Sequence, residues 1–309
     1  MSANKTRSSR LAVYLGTAIA FALSQQAWSA AAPQASATVP QSGTETFTVQ
    51  ENVPYASVNG SELHLDVYEP AGRGNGTRPA VVLIHGGGWV SLDKRTMRGM
   101  GQFLARAGYV AFSVDYRLLQ GDQNRWPTQL DDVQRSVRWV RAHASQYGVN
   151  PERIGAFGHS AGAQLAALLG MEDTRDNSDP ALAKYSSKVQ AVVDVSGPTD
   201  FTRDHESEAG FLADFFGAPY SIHPEAWRGA SPVFHVSKDD APFLIVHGTQ
   251  DKAVPISQAQ ELYEKLQSAG VSVAFVKVND VHTFQTPEAR RQLAIETLAF
   301  FNRYLIVTH

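Results

Sequence analysis

Two stretches of this chain, "AVVLIH" (Ala80 to His85) and "PFLIVHG" (Pro242 to Gly248), are apolar almost without interruption. A strand with one wet face alternates polar and apolar residues. Unbroken apolar runs of this length belong instead to strands covered on both faces, as in a parallel sheet flanked by helices. The intervening segments fit that frame. "LHLDVYEP" alternates as a half-buried strand and stops at Pro70, and "YVAFSVDY", "RIGAFG", "VQAVVDVSG" and "VSVAFVKV" supply further strands. Helices are predicted over Met97 to Ala107 and from Pro127 onward, the latter with Leu130, Val133, Val137 and Val140 on one face. Another is predicted over Ser257 to Ser268, where Ser257 and Gln260 have capping-box spacing, and a last one opens at Thr286-Pro287. Strands alternating with helices predict an α/β fold with a mostly parallel central sheet and helices on both faces.

"IGAFGHSAGAQLAALLG" (Ile154 to Gly170) places Ser160 between two glycines where a strand gives way to a helix. A turn that tight exposes the serine hydroxyl and leaves no room for side chains two residues to either side, which accounts for Gly158 and Gly162. The helix that follows aims its N-terminal N–H groups at the same place. A serine hydroxyl needs a base to attack, and the base needs an orienting carboxylate. Both lie downstream in the order Ser, Asp, His: Asp251 in "HGTQDKAVP" and His282 in "NDVHTF", each just beyond a strand's carboxyl end. Asp194 competes for the acid role, whereas Asp280 is too close to His282 along the chain. His159 adjoins the serine but is expected to point away along the turn, and His247 reads as structural.

"HGGGW" (His85 to Trp89) follows the first buried run. Three glycines let the backbone approach a substrate and turn its amides inward, so Gly87 and Gly88 are expected to join the Ala161 amide in an oxyanion hole. The spacing is neither a dinucleotide fingerprint nor a Walker motif. His85 reads as a loop brace. Trp89 is assigned to substrate binding, with packing as the alternative.

A net charge of −3 gives no basic footprint for nucleic acid. Lys5, Arg7 and Arg10, the apolar run Leu11 to Leu23 and Ala27-Trp28-Ser29 have the layout of a secretory signal cleaved after Ser29. The apolar run is shorter than the roughly 20 residues of a spanning helix, which argues against an anchor. Export to the periplasm or beyond is expected, with no stable membrane association after cleavage. The chain has no cysteine, so neither a disulfide nor a lipidated thiol supports the mature protein. Residues 30–50, rich in Ala, Pro, Gln, Ser and Thr, read as a flexible leader to a domain over 51–309. Within it, residues 199–238 are too long for a simple connection. Their aromatics, Phe211, Phe215, Phe216, Trp227 and Phe234, either roof a cleft or hold this insertion down.

Together these motifs resemble the α/β-hydrolase superfamily, and within it the bacterial carboxylesterases related to the hormone-sensitive-lipase and feruloyl or acetyl-xylan esterase groups. The resemblance runs from about Tyr55 to Tyr304 and is carried by "HGGGW", "DYRL", "PERIGAFGHSAGAQLAALL", "SGPTDF", "HGTQDKAVP" and "VHTF". It implies the α/β-hydrolase fold with a short inserted cap segment, hydrolysis of a small-molecule or oligosaccharide ester, and no cofactor. The insertion matches no substrate subgroup, and its size suggests short acyl chains. An arylformamidase or a serine peptidase-type amide hydrolase is the alternative. A non-catalytic binding module usually lacks a member of the triad, and none is missing here.

Overall fold

The computed structural model describes residues 46–72, 77–203 and 210–306. The signal segment, the leader up to residue 45 and His205 lie outside the described residues. Eight strands form one sheet: β1 (Phe47–Val58), β2 (Ser61–Pro70), β3 (Arg78–Ile84), β4 (Val110–Val114), β5 (Val149–His159), β6 (Ala191–Val195), β7 (Phe243–Gly248) and β8 (Val273–Val278). Their spatial order is β1-β2-β4-β3-β5-β6-β7-β8, with β1 and β2 antiparallel and all pairs from β4 to β8 parallel. The long helices are α1 (Arg98–Arg106), α2 (Thr128–Ala142), α3 (Ala161–Met171), α6 (Ile256–Ser268) and α7 (Pro287–Leu305); α4 (Phe211–Phe216) and α5 (Pro224–Gly229) are short and lie in the insertion. Among the described residues, no helix is long and apolar enough to cross a membrane.

The period of two along the buried strands divides the core. Val82, Ile84 and Phe112 pack with Val133, Val137, Leu165 and Leu168 on one side of the sheet. Val81, Leu83 and Phe157 pack with Leu104, Leu293 and Phe301 on the other. Every residue of α3 is buried, so this helix has no polar stripe, as its alanine and leucine content requires. The chain runs from β3 outward to β4 and then returns to β5 on the opposite flank of β3. That reversal makes the ends of β3 and β5 the topological switch point, the place outside which ligands bind in open α/β sheets.

Two sequence expectations need correction. The leader does not extend to residue 50, because β1 begins at Phe47. This edge strand is mostly exposed and is held by its ladder to β2, with bulges between Gln50 and Val53 and between Pro54 and Ala56. A strand with so little burial carries no apolar alternation to read, and the edge position tolerates Pro54. Secondly, Ser257 does not cap α6: the cap residue is Pro255, with no side-chain cap, and Gln260 Nε2 donates to Glu264 Oε1 at 2.8 Å instead. At α7 the expected start holds, since Thr286 Oγ1 accepts from the Ala289 amide.

The insertion is held down by its aromatics. Phe215, Phe216 and Trp227 are fully buried, and Phe215 stacks on Trp89 at 4.7 Å between ring centres. Phe234 is the exception, half out of the surface beneath Arg228 at 4.3 Å. A polar clasp completes the attachment: His235 Nδ1 lies 2.7 Å from Glu172 Oε1, just past the end of α3. Burial opposes the charge on His235, but the Glu172 carboxylate outweighs it and raises the imidazole pKa above its usual value. The folded state therefore holds this proton more tightly than the unfolded chain. The clasp contributes fully below about pH 6.5 and is lost as pH rises through the raised value. Melting curves of wild type and His235→Asn should accordingly differ most in mildly acidic buffer and converge as the pH rises through the raised imidazole value.

Candidate active site

The strand-to-helix turn at Ser160 forces the serine to φ 55° and ψ −121°, a backbone region a non-glycine residue rarely occupies. The turn persists because its neighbours over-determine it. The Ser160 amide donates to the Val195 carbonyl at 2.8 Å, extending the β5–β6 pairing into the turn. A Cβ on Gly158 would lie 2.1 Å from the Gly162 carbonyl oxygen, and one on Gly162 would lie 2.2 Å from that of Ile84. The two glycines thus do more than clear space around the serine: Gly162 sets the first turn of α3 directly on the end of β3.

Ser160 Oγ lies 2.9 Å from His282 Nε2, and His282 Nδ1 lies 2.6 Å from Asp251 Oδ2. All three side chains are buried or nearly so. The loops after β7 and β8 carry Asp251 and His282 together, with the Gln250 amide donating to the Asp280 carbonyl at 3.0 Å and Gly248 packed tightly beneath it. Asp251 Oδ1 accepts from the Ala253 and Val254 amides at 2.8 and 2.9 Å. Burial alone would raise the Asp251 pKa, but hydrogen bonds from His247 and His282 overcome it and hold the carboxyl well below the usual carboxylate range. The group is an anion at any working pH, and its Oδ2 faces the Nδ1–H tautomer that leaves His282 Nε2 free to accept a proton from Ser160.

The rival carboxylates are engaged elsewhere. Asp280 accepts from the Val281 and Thr286 amides and the Thr286 hydroxyl, and so shapes the loop that presents His282. Asp194 is wholly buried and accepts from the Gly197 amide at 3.0 Å. His159 does not point away from the site as expected. Its Nε2 donates to the His282 carbonyl at 3.0 Å, and burial lowers its pKa to about 4, which keeps the ring neutral.

The glycine loop lies against the nucleophile, but the contact is made by Gly86, which sequence reading passed over. A Cβ there would lie 2.9 Å from the His159 carbonyl oxygen and 3.2 Å from Ser160 Cβ. Gly87 and Gly88 both have positive φ, at 102° and 60°, and the Gly87 carbonyl closes a turn by accepting from the Val90 and Ser91 amides. His85 is a brace: its Nδ1 donates to the Gly86 carbonyl at 2.7 Å, and its ring stacks on Tyr116 at 4.2 Å. Tyr116 in turn donates to the His85 carbonyl at 3.0 Å. For Trp89 the structure favours packing over the assigned substrate contact. The ring is buried among Phe201, Phe211 and Phe215, and its N–H donates to Gln164 Oε1 at 3.2 Å. Nothing in a five-residue motif reports that environment; it follows from the insertion folding back onto the loop.

A serine hydrogen-bonded to a base, a base oriented by a fixed anion and a glycine loop beside them make an arrangement capable of nucleophilic attack. Residues 65–266, well over half of the sequence, match the BD-FAE family. The chain belongs to the BD-FAE family. It is 32% identical over 215 residues to LipM of Mycobacterium tuberculosis (strain ATCC 25618 / H37Rv), described as a probable carboxylic ester hydrolase, over 67% of this chain and 49% of LipM. The chain spans about half the length of the curated relatives it matches. Among solved structures it resembles a truncated carbohydrate esterase from gut microbiota, with a TM-score of 0.72 and 28% identity over 84% of this chain and 98% of that one. It also resembles the butyrate-bound esterase Est2 of the planctomycete Thermogutta terrifontis, at TM-score 0.71 and 25% identity over 85% of this chain and 97% of that one. The same esterase is known phosphoramylated by tabun, and that form aligns at 25% identity over all of its chain. The fold of this BD-FAE family member is thus that of the α/β-hydrolase esterases.

Burial raises the Asp194 pKa to about 6. A carboxyl that binds its proton more tightly when folded loses stability as pH rises between about 4 and 6. Its Oδ2 has no hydrogen-bond partner. Asp194→Asn retains the acceptor for Gly197 and cannot ionise. The variant should be more stable than wild type at neutral pH, by up to about 3 kcal/mol, with the gap closing below pH 4. Urea unfolding at a series of pH values checks this.

Proposed function

We propose that this chain is a serine carboxylic ester hydrolase that acts on short acyl groups through an acyl-enzyme. The observation that carries the reading is the hydrogen-bonded series Ser160–His282–Asp251, at 2.9 and 2.6 Å, on a serine held at φ 55°. His282 Nε2 takes the hydroxyl proton as Ser160 Oγ attacks the ester carbonyl, and Asp251 stabilises the imidazolium that results. The Ala161 amide at the start of α3, with Gly87 and Gly88, is assigned to the negative oxygen of the tetrahedral intermediate. Collapse expels the alcohol with the proton from His282. Water, deprotonated by the same base, then releases the acid and restores the hydroxyl.

Support for a short acyl group comes from the aromatic packing close to the serine. Gln164, one helical turn beyond Ser160, holds the Trp89 indole, and the insertion's phenylalanines pack behind it. The butyrate-bound neighbour is consistent with that choice, and the gut carbohydrate esterase makes a saccharide alcohol a reasonable leaving group. Export follows from residues 1–29, and N-terminal sequencing of the exported protein should begin at Ala30.

Hydrolysis of p-nitrophenyl acetate, butyrate and decanoate, methyl ferulate, acetylated xylo-oligosaccharide and N-formylkynurenine tests the reading. Activity should be highest on acetate or butyrate, and Ser160→Ala should abolish both turnover and fluorophosphonate labelling. Asp251→Asn should lose about 10⁴-fold in kcat, the scale seen when a triad acid can no longer fix the histidine tautomer. Asp194→Asn should lose at least a hundredfold less. Hydrolysis of the formamide alone would make the chain an amide hydrolase, and a harmless Asp251→Asn beside a damaging Asp194→Asn would reassign the acid.

A further inference from the structure

His247, the penultimate residue of β7, is fully buried and takes no part in the steps above. Its Nε2 lies 2.9 Å from the Val254 carbonyl oxygen and 3.3 Å from Asp251 Oδ2. Both neighbours are acceptors, so Nε2 carries the proton and shares it, with the shorter branch to Val254. The Val254 amide meanwhile donates to the other oxygen of Asp251. The 251–254 turn is thereby clasped at both ends by one imidazole. Asp251 Oδ2 sits between two histidines, His282 at 2.6 Å and His247 at 3.3 Å, while two amides hold Oδ1. A carboxylate held in this way cannot rotate away from His282.

A residue that only filled space at the end of β7 would need no ring nitrogens. This ring has them, and one is left over: Nδ1 is buried without a partner, as are Ser196 Oγ and Asp194 Oδ2 on the adjacent strand end. An unsatisfied buried nitrogen is unfavourable, so the histidine is retained in spite of that side of the ring. What the other side supplies is a donor to the Val254 carbonyl, with Asp251 Oδ2 held 3.3 Å from the same nitrogen.

We propose that His247 is a positioning residue for the Ser160 site, fixing the Asp251 carboxylate in the orientation that receives His282 and drawing part of its charge away from that imidazole. The inference rests on the proposed hydrolytic role of Ser160. It adds a fourth side chain, one that acts through Asp251 and touches neither serine nor substrate. Two imidazole rings approach one oxygen, so its charge is shared between them rather than directed at His282 alone. The other titratable groups facing this pair are His159, from the end of β5, and Asp194, from β6. His159 is kept neutral by burial, and Asp194 is close enough to His247 to act on it electrostatically.

The test compares wild type, His247→Leu and His247→Gln in kcat, KM and the pH profile of kcat/KM on p-nitrophenyl butyrate, with thermal melts to establish folding. His247→Leu should lose about 10- to 100-fold in kcat, the scale of a slight misplacement of a reacting group, with KM within about twofold of wild type. Its acid limb should move to higher pH by about half a unit or more, because Asp251 then acts on His282 alone. His247→Gln, whose amide N–H can reach the same oxygen, should recover most of kcat and return the limb toward wild type. If the leucine variant does not fold, His247→Asn, too short to reach Oδ2, carries the same expectation. Wild-type kcat in the leucine variant overturns the proposal, as does a loss that glutamine fails to rescue with the acid limb unmoved. Failure of the underlying reading appears separately, as wild-type protein whose Ser160 resists fluorophosphonate.

Discussion

The backbone contact between Gly162 and the end of β3 is the constraint on which the site depends. A methyl group on Gly162 would overlap the Ile84 and His85 carbonyls, so α3 can start where it does only because that position has no side chain. With the helix seated there, Ser160 has no ordinary backbone conformation available and is driven to positive φ. The glycine loop that continues β3 is brought against the serine by the same contact, with Gly86 beside Ser160 Cβ. Ser160 and the glycine loop are therefore positioned by one packing event between two central strands. Strain at Ser160 is sustained by a helix buried along its whole length, whose apolar contacts far outweigh an unfavourable torsion of about 1–3 kcal/mol.

Charge is distributed around that frame by burial. Three histidines near the serine are fully or nearly enclosed, yet they differ because their partners differ. His85 and His159 each donate to a carbonyl oxygen, and burial holds both below the usual imidazole pKa. Neither offers His282 a competing base or a second positive charge that would discourage its protonation. His282 alone has both an anion behind it and a hydroxyl in front. Selection of one base from several comes from the acceptor set around each ring.

The parts legible in the sequence were those governed by local rules. Buried parallel strands appear as unbroken apolar runs, and a strand-to-helix turn appears as glycines two residues either side of a serine. Ser160, Asp251 and His282 share one end of the sheet because parallel strands deliver successive loops there. What escaped reading was set by contacts across the fold. β1 is an edge strand fixed by its ladder with β2, so it has no periodicity of its own. The start of α6 offers Ser257 and Gln260 at suitable spacing, yet the turn from Asp251 to Pro255 decides where the helix begins, and Gln260 is drawn to Glu264 one turn on. His159 read as a bystander because its partner is a carbonyl 123 residues away in sequence.

Trp89 shows why specificity is harder to read than reaction type. Its position next to the glycine loop suggested a pocket wall, but the ring is taken up by Phe215, Phe211 and Phe201 from the insertion and by Gln164 from α3. The loop motif, the nucleophile's helix and the insertion therefore meet in one aromatic cluster. An insertion attached through that cluster can change in length and sequence while the glycine loop keeps its place, provided an aromatic ring still covers Trp89. Hydrogen bonds at the strand ends hold Ser160, His282 and Asp251 together, while the insertion is fastened separately, through the aromatic cluster on Trp89.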